Sequence, residues 1–266
     1  MAPAGSKVNN VLFVAGMHRS GTSLMAQWLH HNGLFIGDQL LSGFSDNKHG
    51  HFEDMDFLKL SIDQLERWGL HESGLILKDR QDFSLSQEIR NDLLAIIERR
   101  SEQHTHWGWK EPRGTLYLPS LKALIPTLKV VAMHRHPGLV IESLYKRLRK
   151  NKWYYTRNPL KRLKWHIDID LNPEKWIRIF EQAYCQYNKS VIEFRVRYPE
   201  DVFTLDASDI LTRESELQEW LQEHFGMRMK LGFRTVFDDS IYTRQSTLEG
   251  DRIPEAMEIF HKVANG

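Results

Sequence analysis

A glycine-bounded loop, Gly-Met-His-Arg-Ser-Gly, carries the clearest chemistry in the chain. It runs from Gly16 to Gly21, follows the apolar run Val11–Ala15 and precedes a segment of helical periodicity, Thr22–His31. Backbone N–H groups in such a loop and at the start of a helix point toward an anion, which the helix dipole also favours. The glycine spacing matches a Walker A loop, but Thr22 occupies the position of its lysine. The loop is therefore predicted to bind a phosphate other than the β- and γ-phosphates of ATP.

A second strand-to-helix junction repeats this design further along the chain. The apolar run Lys129–Met133 leads through Arg135 into a helical pattern that begins at Pro137, and Ser143 lies two turns later. Arginine supplies planar donors suited to phosphate oxygens, and serine adds a hydroxyl. A surface arginine and an ordinary helix serine are the alternative interpretation. Two such junctions in one sheet predict a ligand with phosphates at two separated positions.

Three blocks of the sequence, taken in order, resemble the sulfotransferase family. They are Gly16–Leu24, Trp107–Arg113 and Val131–Arg147. The resemblance implies 3′-phosphoadenosine-5′-phosphosulfate (PAPS) as the donor and 3′,5′-adenosine bisphosphate as the product formed from it. After Leu205 the match is weak, because the family's Tyr-Glu-Asp-Leu segment is represented only by Asp206–Ile210.

The resemblance implies a role for each block. The first loop is similar to the family's 5′-phosphosulfate loop, and the second junction is similar to its 3′-phosphate site. Lys110 stands at the lysine of a Lys-Asp-Pro element, with Glu111 in place of the aspartate, and would stabilise the bridging oxygen as the phosphate leaves. A surface lysine is the alternative. The residues expected to bind the donor are Arg19, Ser20, Gly21, Thr22, Ser23, Arg135 and Ser143.

An acceptor hydroxyl also needs a base, and the segment Asn47–Asp54 provides two candidates. It resembles the Asn-x-x-Gly-aromatic-Trp/Phe-Glu pattern of bacterial-type branches of the family, where the glutamate is the candidate base. We expect Glu53 to be the base, with its pKa raised toward neutrality by burial, and His51 to be the second choice. The alternative for Glu53 is a place in the first turn of a helix, where the dipole favours a carboxylate. The expected catalytic residues are thus Glu53, Lys110, Arg19 and His51.

We expect no metal site. His-x-His pairs occur at 49/51, 104/106 and 134/136, a spacing that places both rings on one face of a strand. The pairs lie in different parts of the chain, however, and no pair of cysteines accompanies them. Since no γ-phosphate leaves in sulfuryl transfer, the reaction implied by the resemblance does not require Mg²⁺.

The composition is that of an ordinary globular protein. A chain of 266 residues can bury a sizeable core, and we expect a single domain over residues 1–266. The formal net charge of +1 gives no overall attraction to nucleic acid, so no nucleic-acid partner is expected. The single cysteine, Cys185, excludes an intrachain disulfide and suits a reducing compartment. We expect a cytoplasmic protein from the lack of a signal-peptide or membrane-spanning pattern, although a trimmed ectodomain of an anchored parent would look the same.

Short apolar runs alternate with helical patterns, which predicts a three-layer α/β fold around a central parallel sheet. The family resemblance implies the topology of P-loop nucleoside triphosphatases and sulfotransferases. Residues 38–50 and 151–170 are predicted to be loops. Strands are expected at Val11–Ala15, Trp107–Lys110, Lys129–Met133 and Val202–Leu205, and helices at Thr22–His31, Asp54–Trp68, Leu85–Arg99, Pro137–Arg149, Pro173–Arg197 and Ser215–Phe225.

The stretch 146–165 concentrates lysine, arginine, tryptophan and tyrosine, within a basic, aromatic insert expected around residues 146–170. It fits a lid over an acceptor, with rings that stack on a sugar or phenol and cations that attract an anion. Peripheral contact with a membrane is a second interpretation, suited to a lipid-linked acceptor. Binding of single-stranded nucleic acid ranks last. A solvated helix end followed by a plain loop is the structural alternative.

Taken together, these observations predict a PAPS-dependent sulfotransferase that acts on a hydroxyl, or as second choice an amine. The acceptor would be a carbohydrate, a glycolipid or a small metabolite. One rival is a P-loop kinase for a nucleoside or small molecule, which the missing lysine at Thr22 counts against. Another is a non-catalytic module that binds a nucleotide or polyanion, which the full set of phosphate-type residues counts against.

Overall fold

A parallel β-sheet organises the chain. The computed structural model describes residues 9–41, 50–78, 80–150, 158–237 and 245–264. Within these residues the sheet has four strands in the order β2-β1-β3-β4, and Phe13 of β1 lies opposite Trp109 on one side and Val130 on the other. The four predicted strands are confirmed, each longer by one or two residues. They are β1 (Asn10–Ala15), β2 (His106–Lys110), β3 (Leu128–His134) and β4 (Val202–Asp206).

Helices cover both faces of the sheet. Along β1, Val11 and Phe13 belong to one buried cluster, whereas Leu12 and Val14 belong to a second cluster on the opposite face. Burial on both faces explains why the strand is a continuous apolar run rather than an alternating one. The predicted three-layer α/β fold is therefore confirmed. The helices are α1 (Thr22–His31), α2 (Met55–Arg67), α3 (Gln87–Gln103), α4 (Leu118–Leu124), α5 (Pro137–Lys150), α6 (Pro159–Leu171), α7 (Pro173–Arg197), α8 (Glu214–Trp220) and α9 (Pro254–Ala264).

The predicted helices agree best where the sequence marks their ends. Helices α1 and α7 have the predicted bounds, because Gly21 precedes the first and Pro173 begins the second. Helix α8 ends at Trp220, earlier than predicted, and a wider π-helical turn over Leu221–Phe225 follows it. That turn ends at Gly226, whose φ of 75° is in the left-handed region that glycine adopts readily.

Helix α6 corrects the predicted loop over 151–170. Asn158 accepts a hydrogen bond from the Leu160 N–H at 3.0 Å, and Pro159 occupies the first helical position, where a proline ring is tolerated. The loop prediction was wrong because it rested on the basic and aromatic composition, which reports solvent exposure rather than backbone conformation. Residues 151–157 of this segment and 42–49 of the other predicted loop lie outside the described residues.

Candidate active site

The loop after β1 has a backbone geometry that depends on its glycines. Gly16 has a φ of 137°, and a Cβ there would lie 2.4 Å from the Met133 carbonyl oxygen, so this position requires glycine. The Gly16 N–H donates to Thr115 Oγ1 at 2.8 Å. Arg19 adopts a φ of 72°, a left-handed conformation that costs a non-glycine residue about 1 kcal/mol or more. Gly21, with a φ of 90°, precedes α1, and no side chain caps this end of the helix.

The two predicted phosphate junctions meet at the carboxyl edge of the sheet. Arg19 Nε donates to Ser143 Oγ at 2.9 Å, which joins the loop after β1 to helix α5. Arg135 Nη1 donates to the Arg19 carbonyl oxygen at 3.4 Å, and the Arg135 carbonyl accepts from the Tyr184 hydroxyl at 2.8 Å. Three of the residues expected to bind the donor are thus in direct contact, although 124 positions separate Arg19 from Ser143.

Four charged side chains, three of them buried, cluster beside this loop. Lys110 Nζ donates to Glu53 Oε1 at 2.8 Å, and the two side chains are only 2% and 6% exposed. Arg113 Nη1 lies 3.8 Å from Glu53 Oε2 and also donates to Glu111. Glu111 in turn accepts from the Gly114 N–H at 3.0 Å and so caps the 3₁₀ turn over Pro112–Tyr117. Two carboxylates and two cations balance one another, as buried charges require.

The cations hold Glu53 in its charged form. Burial opposes ionisation, but the positive charges of Lys110 and Arg113 outweigh it and lower the pKa of Glu53 to about 2. The expectation that burial raises this pKa toward neutrality is therefore wrong. For Glu111, burial raises the pKa and the charge of Glu53 adds to the rise, although Arg113 opposes it.

The backbone before α2 places Glu53 outside the helix. Asp54 is the N-cap, since its carboxylate accepts from the Asp56 N–H at 2.9 Å, and the first helical residue is Met55. The alternative of a first-turn carboxylate is therefore wrong for Glu53. Phe52 adopts a φ of 53°, and the Glu53 carbonyl accepts from the Leu41 N–H at 2.8 Å.

The backbone of His51 contacts the residues that follow the glycine loop. Ser23 Oγ donates to the His51 carbonyl oxygen at 3.2 Å, and the His51 side chain is buried. Two further loop residues expected to bind the donor, Ser20 and Thr22, are buried as well. Residues 47–49, which begin the Asn-x-x-Gly pattern, lie outside the described residues.

His18 and Thr115 are site residues that the sequence analysis missed. Within the described residues His18 Nε2 is buried and makes no hydrogen bond. Burial and the charge of Arg113 lower the pKa of His18 well below its usual range, while Glu53 opposes the shift. Burial and the nearby positive charge therefore favour the neutral form of this imidazole. Its place directly before Arg19 was the available signal, whereas nothing in the sequence links Thr115 to Gly16.

Three histidines of the His-x-His pairs have structural partners. His104 stacks on Phe35 with ring centroids 3.7 Å apart, His106 packs edge-on against Phe225, and His134 Nδ1 lies 3.3 Å from Asp206 Oδ2. Across the described part of the chain, no group of three or more His, Cys, Asp or Glu side chains is arranged to hold a metal ion.

A parallel sheet whose first strand leads through a glycine-bounded loop into a helix defines a P-loop-like α/β protein. A model of the sulfotransferase family matches residues 12–208. The chain belongs to the sulfotransferase family.

No curated protein matches the sequence. Among the described residues, no helix is long and apolar enough to cross a membrane.

Solved sulfotransferase structures share the fold at low sequence identity. The sulfotransferase domain from the olefin synthase of Synechococcus PCC 7002 is 16% identical, with a TM-score of 0.55 and 98% of each chain covered. The sulfotransferase domain from the curacin biosynthetic pathway is 15% identical, with a TM-score of 0.54 and coverage of 97% of this chain and 99% of that one. Sulfotransferase STF9 from Mycobacterium avium is 14% identical, with a TM-score of 0.57 over 97% of this chain and 76% of that one. The predicted P-loop-like fold is confirmed.

Proposed function

We propose that this chain is a PAPS-dependent sulfotransferase that transfers the sulfuryl group to a hydroxyl, or as second choice to an amine. The acceptor would be a carbohydrate, a glycolipid or a small metabolite. The observation that carries the proposal is the hydrogen bond between Arg19 Nε and Ser143 Oγ, 2.9 Å long, which unites two phosphate-type junctions at one edge of the sheet. A nucleotide with phosphates at both its 5′ and 3′ positions matches that arrangement.

The residues present fit such a donor. The loop from Gly16 to Gly21 offers backbone N–H groups and the guanidinium of Arg19 for the 5′-phosphosulfate. Arg135 and Ser143 would hold the 3′-phosphate through charge-assisted hydrogen bonds. Because Lys110, Glu53, Glu111 and Arg113 balance in charge among themselves, the binding of the anion is left to the loop and to the second junction.

Lys110 and Arg19 are suited to assist the leaving group. In the transfer, the acceptor oxygen forms a bond to sulfur while the bond between sulfur and the bridging phosphate oxygen breaks. Negative charge then develops on the departing 5′-phosphate. Lys110 and Arg19 would donate hydrogen bonds to that oxygen, and stabilising charge that develops in the transition state is often the largest catalytic term.

The acceptor proton needs a base within the same cluster. Glu53 remains the first choice, since it is a carboxylate held ionised beside Lys110. His18 enters as an alternative because it lies in the loop directly before Arg19 and, among the described residues, its buried Nε2 makes no hydrogen bond. His51 is the other candidate from the sequence. Substituting each by glutamine separates them, because the base variant loses turnover while keeping its affinity for 3′,5′-adenosine bisphosphate.

The rival functions fit the site less well. A kinase of the P-loop type uses a lysine within the loop to reach the β- and γ-phosphates, and this chain has Thr22 at that position. Lys110 does not replace it, because Lys110 ends strand β2 and is not part of the loop. A non-catalytic module would not need a buried lysine and carboxylate beside its anion site, since their burial costs folding free energy.

The proposal is tested first by thermal unfolding with 3′,5′-adenosine bisphosphate, AMP, ADP and ATP with Mg²⁺. A ligand at about 100 times its Kd adds ~2.7 kcal/mol to the free energy of unfolding. We expect the bisphosphate to raise Tm and AMP, which lacks the 3′-phosphate, to raise it far less. Stabilisation by ATP with Mg²⁺ alone would favour the kinase. A bisphosphate-stabilised chain that forms no bisphosphate from PAPS with any phenol, sugar or amine acceptor would favour the binding module.

A further inference from the structure

Helix α6 exposes a row of large apolar side chains to solvent. Leu160, Leu163, Ile167 and Leu171 are 80%, 60%, 51% and 73% exposed, and we call this row the α6 stripe. Intervals of three, four and four residues place all of them on one face of a helix. Among the described residues, seven large apolar side chains are exposed, and four of them lie in this stripe. Such a concentration marks a contact surface rather than scattered surface residues.

The opposite face of α6 is anchored to the protein. Ile169 is fully buried, and its carbonyl oxygen accepts a hydrogen bond from the Tyr145 hydroxyl on α5 at 2.9 Å. The ring of Trp165 lies 5.4 Å from that of Trp176 on α7. Because these contacts fix the rotation of the helix, the stripe faces outward.

The segment that contains the first residues of the stripe is rich in positive charge. Residues 146–165 contain nine lysines or arginines and no aspartate or glutamate, within a chain whose net charge is +1. Lys164 is exposed on α6 beside the stripe, and Arg149 and Lys150 are exposed at the end of α5. This cationic surface complements an anionic one.

The acidic residues of α6 are neutralised by basic partners. Asp168 accepts from Lys175 Nζ at 2.7 Å, and Asp170 lies 3.4 Å from Arg149 Nε. A lysine of α7 thus neutralises Asp168, whereas Asp170 offsets Arg149, so the positive charge beside the stripe rests on residues such as Lys150 and Lys164.

We propose that the α6 stripe binds the surface of an anionic lipid membrane, with the helix lying in the plane of the interface. An apolar face bordered by lysine and arginine is the pattern of interfacial helices. The thirteen residues of α6 span about 20 Å, too short to cross a hydrocarbon core of roughly 30 Å. This inference is independent of the transfer reaction.

Two other occupants suit the surface less well. A second copy of the chain would bring like charges, such as the exposed Lys164 of each α6, close to one another, and their repulsion opposes pairing. A stable protein partner needs about 800 Å² on each side, or roughly 20 residues, whereas the stripe is a single convex face with four apolar side chains.

The test is cosedimentation of the full chain with vesicles of phosphatidylcholine alone and of phosphatidylcholine with phosphatidylserine. We expect binding to the phosphatidylserine vesicles that weakens as salt is added. The double variant L163S/I167S should bind at least about tenfold more weakly, since it removes apolar surface from the stripe. The matched control is Val196→Ser, which removes a side chain that is 78% exposed on α7, outside the stripe, and should leave binding unchanged.

The results of these experiments distinguish a membrane surface from a second copy of the chain. Unfolding curves of the variants establish that each is folded, which the exposure of the substituted side chains favours. Equal binding by L163S/I167S and the unsubstituted chain would overturn the proposal, as would no binding to phosphatidylserine vesicles at low salt. Dimerisation by light scattering that L163S/I167S abolishes, without vesicle binding, would overturn it in favour of a second copy of the chain.

Discussion

Substituting Glu53 by glutamine should destabilise the fold as well as affect turnover. The variant leaves the Lys110 ammonium buried at 2% exposure without the carboxylate that now lies 2.8 Å away. The pKa of Glu53 falls from 4.5 to about 2 on folding, a shift worth about 3 kcal/mol at ~1.4 kcal/mol per unit. Removing one partner of a buried pair costs about 3–5 kcal/mol. We therefore expect E53Q to lower the free energy of unfolding by about 3 kcal/mol at pH 7.

The destabilisation caused by E53Q should depend on pH in a definite direction. Because folding lowers the pKa of Glu53, its contribution is present above the unfolded value of 4.5 and is lost as pH falls toward about 2. The difference in stability between E53Q and the unsubstituted chain should therefore shrink on acidification. Urea unfolding over a series of pH values measures it, together with Lys110→Met and the double variant K110M/E53Q. The double variant should lose less stability than the sum of the two single ones.

An exposed ion pair provides the matched control. Lys262 and Glu258 lie one turn apart on α9 and are 55% and 68% exposed. Solvent screens such a pair, so Glu258→Gln should produce little change. The reasoning is refuted if E53Q is no more destabilising than E258Q, or if its effect is the same at pH 3 and pH 7.

Further predictions concern the phosphate loop and the base. Arg135→Ala should weaken binding of 3′,5′-adenosine bisphosphate by at least tenfold, since a charge-assisted contact is worth about 1.5–3 kcal/mol; an unchanged Kd by calorimetry would contradict the phosphate assignment. Thr115→Val removes the acceptor of the buried Gly16 N–H, and should lower the free energy of unfolding by about 1–3 kcal/mol. Gly16→Ala should abolish bisphosphate binding because a Cβ would meet the Met133 carbonyl at 2.4 Å. If Glu53 is the base, its pKa of about 2 keeps turnover flat from about pH 5 to 8; a fall below pH 6 would point elsewhere.

The elements that the sequence predicts well are those with local signals. The apolar run of β1 between polar turns, and the proline that begins α7, are visible without knowledge of any neighbour. Helix α6 has a local signal as well, an asparagine followed by proline with leucines at helical spacing, which the basic composition of the segment obscures. The composition of a segment indicates whether it is exposed to solvent, whereas the spacing of its apolar residues indicates its backbone conformation.

The charge states of the site residues could not be predicted from the sequence, because they depend on contacts between residues far apart in the chain. Glu53 was identified from a motif, yet its pKa is set by Lys110, which lies 57 positions away, and by Arg113. Thr115 supports the phosphate loop across 99 positions. The sequence can name residue types suited to a reaction, but the charge state of each depends on which neighbours the fold supplies.

The contact between Arg19 and Ser143 has a consequence for the speed of the proposed cycle. Sulfuryl transfer leaves both phosphates of the nucleotide intact. The groups that bind these phosphates would therefore bind 3′,5′-adenosine bisphosphate as tightly as PAPS. Binding shared in this way by reactant and product does not lower the chemical barrier. Under the proposed function, tighter binding of the phosphates would slow the departure of the bisphosphate. We therefore expect product release to limit turnover and the bisphosphate to inhibit the reaction.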